Sequence, residues 1–183
     1  MLYRQDRFRL KGRCLIAPGG AHHAIIRAKF QPVAAEFDDP RYDFFVLGTH
    51  LSHADGDKRL GDAKWMTDYA DEFPGYPRQA GAMGDFNAPD QELEDGSRIP
   101  QNMHARNRLV RADGRFGDID QRALRVLLES GWQDPQSLTG NATVGYAYDN
   151  ERVLWSLAHI FATKSSRRLV GWGPRQQGGR GCQ

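Results

Sequence analysis

The chain has 183 residues, of which 39% are hydrophobic and 26% are charged, a composition typical of one globular domain. Its formal net charge is +2, which is too small for charge alone to indicate a nucleic-acid partner. Two cysteines, Cys14 and Cys182, exclude a disulfide framework and a zinc site built from cysteines.

The first ten residues carry four charges, which excludes a signal peptide at this position. No apolar run approaches the ~20 residues that a membrane-spanning helix needs. We therefore expect no membrane span and a cytoplasmic protein, with secretion as the alternative if an N-terminal segment is missing.

The first half of the chain alternates predicted strands with one predicted helix. Residues 2–10 and 24–30 are predicted strands, and the apolar run 44–48 is typical of a buried strand. From 57 to 73 the hydrophobic period becomes helical, and 79–83 is a further short strand. The apolar stripe of this helix should pack on the sheet and consists of Leu60, Ala63, Met66, Ala70 and Phe73.

The second half begins with a polar segment, 88–117, which is predicted to be a long loop. A helix is predicted from Asp118, as its N-cap, to residue 130, with Gly131 just beyond its end. A late strand is predicted at 154–163. Strands outnumber helices, so the fold class is α+β or a layered α/β sandwich.

Two short motifs follow predicted strands at the point where each strand ends. They read Gly48-Thr49-His50-Leu51 and Gly84-Asp85-Phe86-Asn87-Ala88. One amphipathic helix separates them, so the two strands can be parallel neighbours whose carboxyl ends open on one edge of the sheet. We therefore expect His50, Asp85 and Asn87 to lie close together.

These three side chains suit the hydrolysis of a phosphoester. The Asp85 carboxylate can hold Mg²⁺ or accept the proton of an attacking water. Asn87 is two residues further on, so in an extended chain its amide faces the same side as Asp85. His50 can hydrogen-bond a phosphate or act as a general acid.

Each of these signals also has a structural interpretation. Gly-Asp-Phe-Asn is equally compatible with a turn, and a lone histidine after a strand is more often structural. His53 is interpreted as a surface histidine. His22 and His23 are interpreted as bystanders, because adjacent residues on a strand face opposite sides.

Together the segments resemble the endonuclease/exonuclease/phosphatase superfamily, which includes deoxyribonuclease-like enzymes, inositol-phosphate phosphatases and sphingomyelinases. The matching stretches, in the order found in that family, are residues 2–8, 44–51, Lys58-Arg59, 84–88 and 121–134.

The resemblance implies an α+β fold, a layered α/β/β/α sandwich of the deoxyribonuclease-like type, over residues 1–170, followed by a flexible tail at 171–183. It also implies that His50, Asp85 and Asn87 are catalytic and that Asp85 is a metal ligand. The cofactor would be Mg²⁺ (or Mn²⁺). The substrate would be a phosphoester, with nucleic acid among the candidates.

The sequence departs from the family pattern in three places. Glu36, in a loop, is the one poor candidate for the family's metal-binding glutamate. Ala158 stands where the family has an aspartate, and no histidine follows His159. We therefore expect an incomplete sandwich and feeble or absent hydrolysis.

Two alternatives to an active enzyme stay open. One is a catalytically inactive remnant of the same fold that binds phosphate or nucleic acid weakly. The other is an unrelated domain in which all these segments are turns.

Overall fold

The structure is a computed structural model, and it describes residues 1–70, 79–90, 101–135 and 156–166. Several predictions from the sequence concern positions outside these ranges, namely those on Phe73, the strand residues 154–155 and the tail 171–183.

The described residues form eight strands and three helices. The strands are β1 (Phe8–Ile16), β2 (Ile25–Pro32), β3 (Phe44–His50), β4 (Ala80–Asp85), β5 (Arg108–Val110), β6 (Phe116–Ile119), β7 (Trp132–Gln133) and β8 (Ala158–Thr163). Six of them form a sheet in the order β1-β2-β3-β4-β8-β7, and β5 pairs with β6 separately. Neighbours in the large sheet are antiparallel except β3 and β4, which are parallel. This mixed sheet with few helices confirms the α+β prediction.

The helices are α1 (Gly56–Lys64), α2 (Gln101–Asn107) and α3 (Arg122–Glu129). None of the helices in the described residues is long and apolar enough to cross a membrane. The prediction that α1 continues to residue 73 is wrong, because α1 ends at Lys64 and a 3-10 turn follows at Thr67–Tyr69. At this end the backbone tightens to i→i+3 bonding, with the Trp65 and Met66 N–H groups donating to the Asp62 and Ala63 carbonyls. The Trp132 indole donates to the Met66 carbonyl just beyond it, at 3.2 Å.

Two element boundaries differ from the prediction near the N-terminus and near α3. β1 starts at Phe8, not at residue 2, because a turn closed by the Phe8 N–H and the Arg4 carbonyl (2.9 Å) precedes it. Asp118 is a residue of β6, not an N-cap, and α3 starts at Arg122. The Asp120 carboxylate accepts the Arg122 N–H there (3.2 Å).

The predicted loop 88–117 is also wrong in part. Its described residues contain α2, β5 and the first residues of β6. The turn that joins β5 to β6 is closed by the Gly114 N–H donating to the Arg111 carbonyl. Short elements rich in arginine and asparagine have little hydrophobic periodicity, so the sequence pattern did not reveal them.

The core lies between one face of the sheet and the helices α1 and α3. Leu47, Ala82 and Phe161 form one row across three neighbouring strands, and all three are at most 1% exposed. The predicted stripe of α1 is buried against this core at Ala63, Met66 and Ala70, and Leu60 is half-buried. Arg59 and Asp62, which the pattern placed off the stripe, are buried as well.

The opposite face of the sheet is largely open. Ile26, Met83 and Ile160 lie in one row of this face and are 38–51% exposed. Residues 1–4 cover the part of this face near Phe30 and Phe44. Among the described residues the layers are therefore one sheet with helices on one side, which is half of the predicted four-layer sandwich.

Candidate active site

The parallel pairing of β3 and β4 brings two of the predicted site residues together. His50 and Asp85 are direct partners at the carboxyl ends of these strands. The Leu51 N–H donates a hydrogen bond of 2.9 Å to the Asp85 carbonyl, which continues the strand pairing by one residue. The His50 Nε2 atom lies 3.9 Å from the Asp85 Oδ2 atom. The side chains are 53% and 42% exposed, so both can be reached by a ligand from solvent.

Gly84 makes this close approach of the strands possible. Its φ is +149°, and a Cβ atom at this position would lie 1.9 Å from the Thr49 carbonyl oxygen. Any other residue would collide with the β3 backbone and adopt a strained conformation. Because Gly84 immediately precedes Asp85, this contact determines where the carboxylate lies relative to His50.

Asn87 lies at the same edge, for a different reason from the one predicted. Its φ is +48°, so the chain is not extended and strand alternation does not apply. Instead, the Asn87 N–H donates to the Asp85 Oδ1 atom (2.9 Å), and its side-chain Nδ2 donates to the Leu51 carbonyl (3.0 Å). The segment is thus a turn in which the aspartate side chain accepts from the backbone two residues on. Asn87 holds the ends of β3 and β4 together and keeps one amide N–H for other partners.

The neighbour of Asp85 on the other side is Ala158. The two residues are direct partners in the antiparallel pairing of β4 and β8, so their side chains project from the same face of the sheet. This is the position where the family resemblance predicts an aspartate. The described part of the cleft therefore has a methyl group where a second carboxylate would lie beside Asp85.

Two other residues considered from the sequence lie away from the cleft. His159 is 2% exposed, and its Nδ1 and Nε2 atoms lie 2.9 Å from an Asp134 carboxylate oxygen and 3.1 Å from the Ser156 carbonyl. Glu36 follows the end of β2, which pairs with the start of β3, so it is at the opposite end of the sheet from His50. Neither residue completes the site.

The strand alternation used to separate His22 from His23 is wrong, whereas His53 is exposed, as expected of a surface histidine. His22 and His23 precede β2 in a loop, so strand alternation does not separate them, and their ring centroids are 4.4 Å apart. The His23 ring lies 4.9 Å from that of His50, and the His22 ring lies 5.7 Å from that of His53. The antiparallel pairing of β2 with β3 explains these contacts, since it puts the start of β2 next to the end of β3.

Buried charged residues of α1 hold the loops that carry these histidines. The buried Asp62 carboxylate accepts the His22 N–H (3.1 Å) through Oδ1. The buried Arg59 guanidinium donates to the Ser52 carbonyl (3.2 Å) and the Arg106 carbonyl (2.7 Å). Burial lowers the pKa of Arg59, an effect that the nearby Asp120 carboxylate opposes.

The electrostatic surroundings of His22 disfavour its protonated form. Partial burial, followed by the neighbouring His23, Lys58 and His53, lowers the pKa of His22, and the Asp62 carboxylate opposes this shift. A neutral imidazole is therefore favoured at this position near neutral pH, and it offers one N–H donor and one acceptor.

The cleft has few ligands for a metal ion. Within the ranges that the structure describes, no three histidine, cysteine, aspartate or glutamate side chains are arranged to hold one. Among the described residues, Asp85 is the one carboxylate at the His50–Asp85 edge, and its Oδ1 atom already accepts from Asn87. Mg²⁺ can be held by one carboxylate if water and substrate phosphate supply the other ligands. These residues therefore fit a hydrated Mg²⁺ that binds together with substrate, not a preformed metal centre.

Comparison with solved structures identifies the fold. One similar structure is an endonuclease/exonuclease/phosphatase family protein from Bacteroides thetaiotaomicron, at 16% identity and a TM-score of 0.54, with 89% of this chain and 54% of that chain covered. Another, from the same organism, is a mannosyl-6-phosphatase at 17% identity and a TM-score of 0.54, with 89% of this chain and 55% of that chain covered. A third is ANGEL2, described as a 2′,3′-cyclic phosphatase (12% identity, TM-score 0.51, 90% and 57% covered).

These similarities are structural, since no family model and no curated protein sequence matches the chain. The chain spans little more than half the length of each of the three proteins. Together with the mixed sheet and the placement of His50 beside Asp85, the likeness shows that this chain has the α+β fold of the endonuclease/exonuclease/phosphatase proteins.

Proposed function

We propose that this chain carries the core of a metal-dependent phosphoester hydrolase. The observation that supports the proposal most strongly is the 3.9 Å approach of His50 to Asp85 at the open ends of two parallel strands. The fold supports it further, because similar structures include a mannosyl-6-phosphatase and a 2′,3′-cyclic phosphatase. The proposed substrate is a phosphoester, with nucleic acid among the candidates. The proposed compartment is the cytoplasm.

Each of the three residues has a role in this proposal. The exposed imidazole of His50 donates a hydrogen bond to a phosphoryl oxygen. Asn87 donates the amide N–H that the Leu51 carbonyl does not use. The Oδ2 atom of Asp85, which does not accept from Asn87, orients the attacking water and accepts its proton. The leaving oxygen takes a proton from solvent as its bond to phosphorus breaks.

Mg²⁺ or Mn²⁺ is the proposed cofactor, with Asp85 as its protein ligand. When bound, such a cation would neutralise negative charge on the phosphoryl oxygens. A single carboxylate holds Mg²⁺ poorly, since this ion gives up its water reluctantly. We therefore expect slow hydrolysis, and only at high concentrations of the metal ion.

A second candidate function is a non-catalytic phosphate-binding module. The methyl group of Ala158 beside Asp85 favours it, because one carboxylate is too few for a firmly held cation. His50 and Asn87 would still offer hydrogen-bond donors to a phosphate in such a protein.

Hydrolysis assays distinguish these candidates. The purified chain is incubated with bis(p-nitrophenyl) phosphate and with supercoiled plasmid, in Mg²⁺ or Mn²⁺, beside Asp85→Ala and, as a matched control, the exposed Asp113→Ala. The enzyme proposal predicts slow turnover that EDTA and Asp85→Ala abolish and that Asp113→Ala retains. Phosphate binding by the unmodified chain without any turnover would instead support the binding module.

A further inference from the structure

Four of the six histidines of the chain form a continuous group beside Asp85. We call His22, His23, His50 and His53 the histidine cluster. Its rings follow one another in the order His50, His23, His22, His53, with centroid separations of 4.9, 4.4 and 5.7 Å. The cluster therefore leads from the His50–Asp85 edge across the loop before β2 to the loop before α1.

The backbone that carries the cluster is held in place at several points. The Gly20 and Ala21 N–H groups both donate to the Ala17 carbonyl, and Ala21 packs into the hydrophobic core. The Asp62 carboxylate accepts the His22 N–H from the other side. Loop residues fixed in this way present their side chains in a defined arrangement, which a binding site needs.

The cluster is open to solvent, and each of its rings can donate a hydrogen bond. His23, His50 and His53 are exposed, and His22 is half-buried. Lys58 is close enough to lower the pKa of His22. Each imidazole can donate a hydrogen bond to an anion through a ring N–H. This chemistry suits an anionic group better than a metal ion, for which the described residues supply no suitable group of three ligands.

We propose that the histidine cluster binds a second phosphate of the substrate, next to the phosphate at His50 and Asp85. This inference rests on the proposed function, because that function places the reacting phosphoester at the edge formed by His50 and Asp85. It deepens that function by selecting a substrate class: molecules with two or more phosphates, in preference to those with one. Oligonucleotides and polyphosphorylated inositols share this chemistry.

Binding measurements test the proposal without requiring catalysis. Calorimetry with the full chain compares a dinucleoside monophosphate, which has one phosphate, with hexathymidylate and with inositol trisphosphate. The variant is the triple substitution His22→Gln, His23→Gln and His53→Gln. The matched control is His104→Gln, and the exposed single substitutions His23→Gln and His53→Gln provide the test if the triple variant does not fold.

We expect the triple variant to bind hexathymidylate or inositol trisphosphate at least about tenfold more weakly, while its affinity for the dinucleoside monophosphate changes less than about twofold. If only one of these two ligands loses affinity in the triple variant, its class, oligonucleotide or inositol phosphate, is the one that supplies the second phosphate. Equal affinities of the unmodified and variant chains would overturn the inference, and so would an equal loss for all ligands. Zn²⁺ or Ni²⁺ bound by the cluster with no effect on phosphate ligands would overturn it too. Histidine-dependent binding without hydrolysis would reject the proposed enzyme while this inference stands.

Discussion

Ala158 lies directly across the β4–β8 pairing from Asp85, so its methyl group occupies the position from which a second carboxylate would reach the same ligand. Directly paired residues have Cβ atoms about 5 Å apart. The Ala158→Asp substitution should therefore create a two-carboxylate site. Without a cation the like charges should lower the melting temperature, and Mg²⁺ should restore it, because a ligand that binds only the folded state stabilises that state.

Thermal unfolding with increasing Mg²⁺ measures this effect. We expect a rise in Tm for Ala158→Asp that is larger than in the unmodified chain and in Ala162→Asp, whose partner in β4 is Gly81. If Mg²⁺ changes Tm equally in all three proteins, position 158 does not face the cation.

The stability of the folded chain should depend on the absence of a side chain at Gly84. A Cβ atom there would lie 1.9 Å from the Thr49 carbonyl oxygen at a φ of +149°, so Gly84→Ala should lower the free energy of unfolding by at least about 2 kcal/mol. The control is Gly61→Ala in α1, where a Cβ would have no neighbour within 4 Å. That substitution should stabilise the protein by roughly 0.5–1 kcal/mol, because alanine is the better helix former. Urea unfolding of both variants checks the pair, and a Gly84→Ala protein as stable as the unmodified chain would contradict the close approach of β3 and β4 at this position.

His159 should be a structural residue and not a catalytic one. It is 2% exposed, and its ring nitrogens face an Asp134 carboxylate oxygen and the Ser156 carbonyl. Losing the ring leaves buried hydrogen-bond partners unsatisfied, which costs about 1–3 kcal/mol, so His159→Ala should be destabilised in urea unfolding. The part of the variant that stays folded should bind a phosphate ligand as the unmodified chain does. A stable His159→Ala protein that has lost phosphate binding would assign His159 to the site after all.

The pH dependence of stability should show the effect of His22. Its pKa is lowered in the folded chain from the ordinary value of 6.5, so the unfolded chain binds more protons in this range. Stability should therefore fall as the pH drops below the unfolded value and through the lower folded one. His22→Gln should remove part of this fall. Melting temperatures measured across this range provide the test, and parallel curves for His22→Gln and the unmodified chain would contradict it.

Much of the site's placement was predictable because it follows from strand order. The motifs at His50 and Asp85 each follow an apolar strand, and one helix separates them, so a parallel pairing that brings their ends together could be inferred. The same pattern predicted that Met66 and Ala63 are buried. Hydrophobic periodicity reports such local features well.

What could not be predicted depends on backbone geometry and tertiary contacts. The left-handed conformation of Asn87 replaces the expected alternation, and the hydrogen bond from Trp132 to Met66 accompanies the early end of α1. The ring contacts of His22 and His53 join loops that are far apart in sequence. No local pattern contains information of this kind.

The central claim is that His50, Asp85 and Asn87 form one phosphoester-binding edge. Nuclear magnetic resonance of the ¹⁵N-labelled chain, titrated with a dinucleoside monophosphate in the presence of Mg²⁺, tests it most directly. The largest chemical-shift changes should occur at residues 49–52 and 84–88, and Asp85→Ala should abolish the Mg²⁺-dependent part of them. Shifts concentrated elsewhere, for example on the arginine-rich strands β5 and β6, or no saturable shifts at all, would contradict the assignment of this edge.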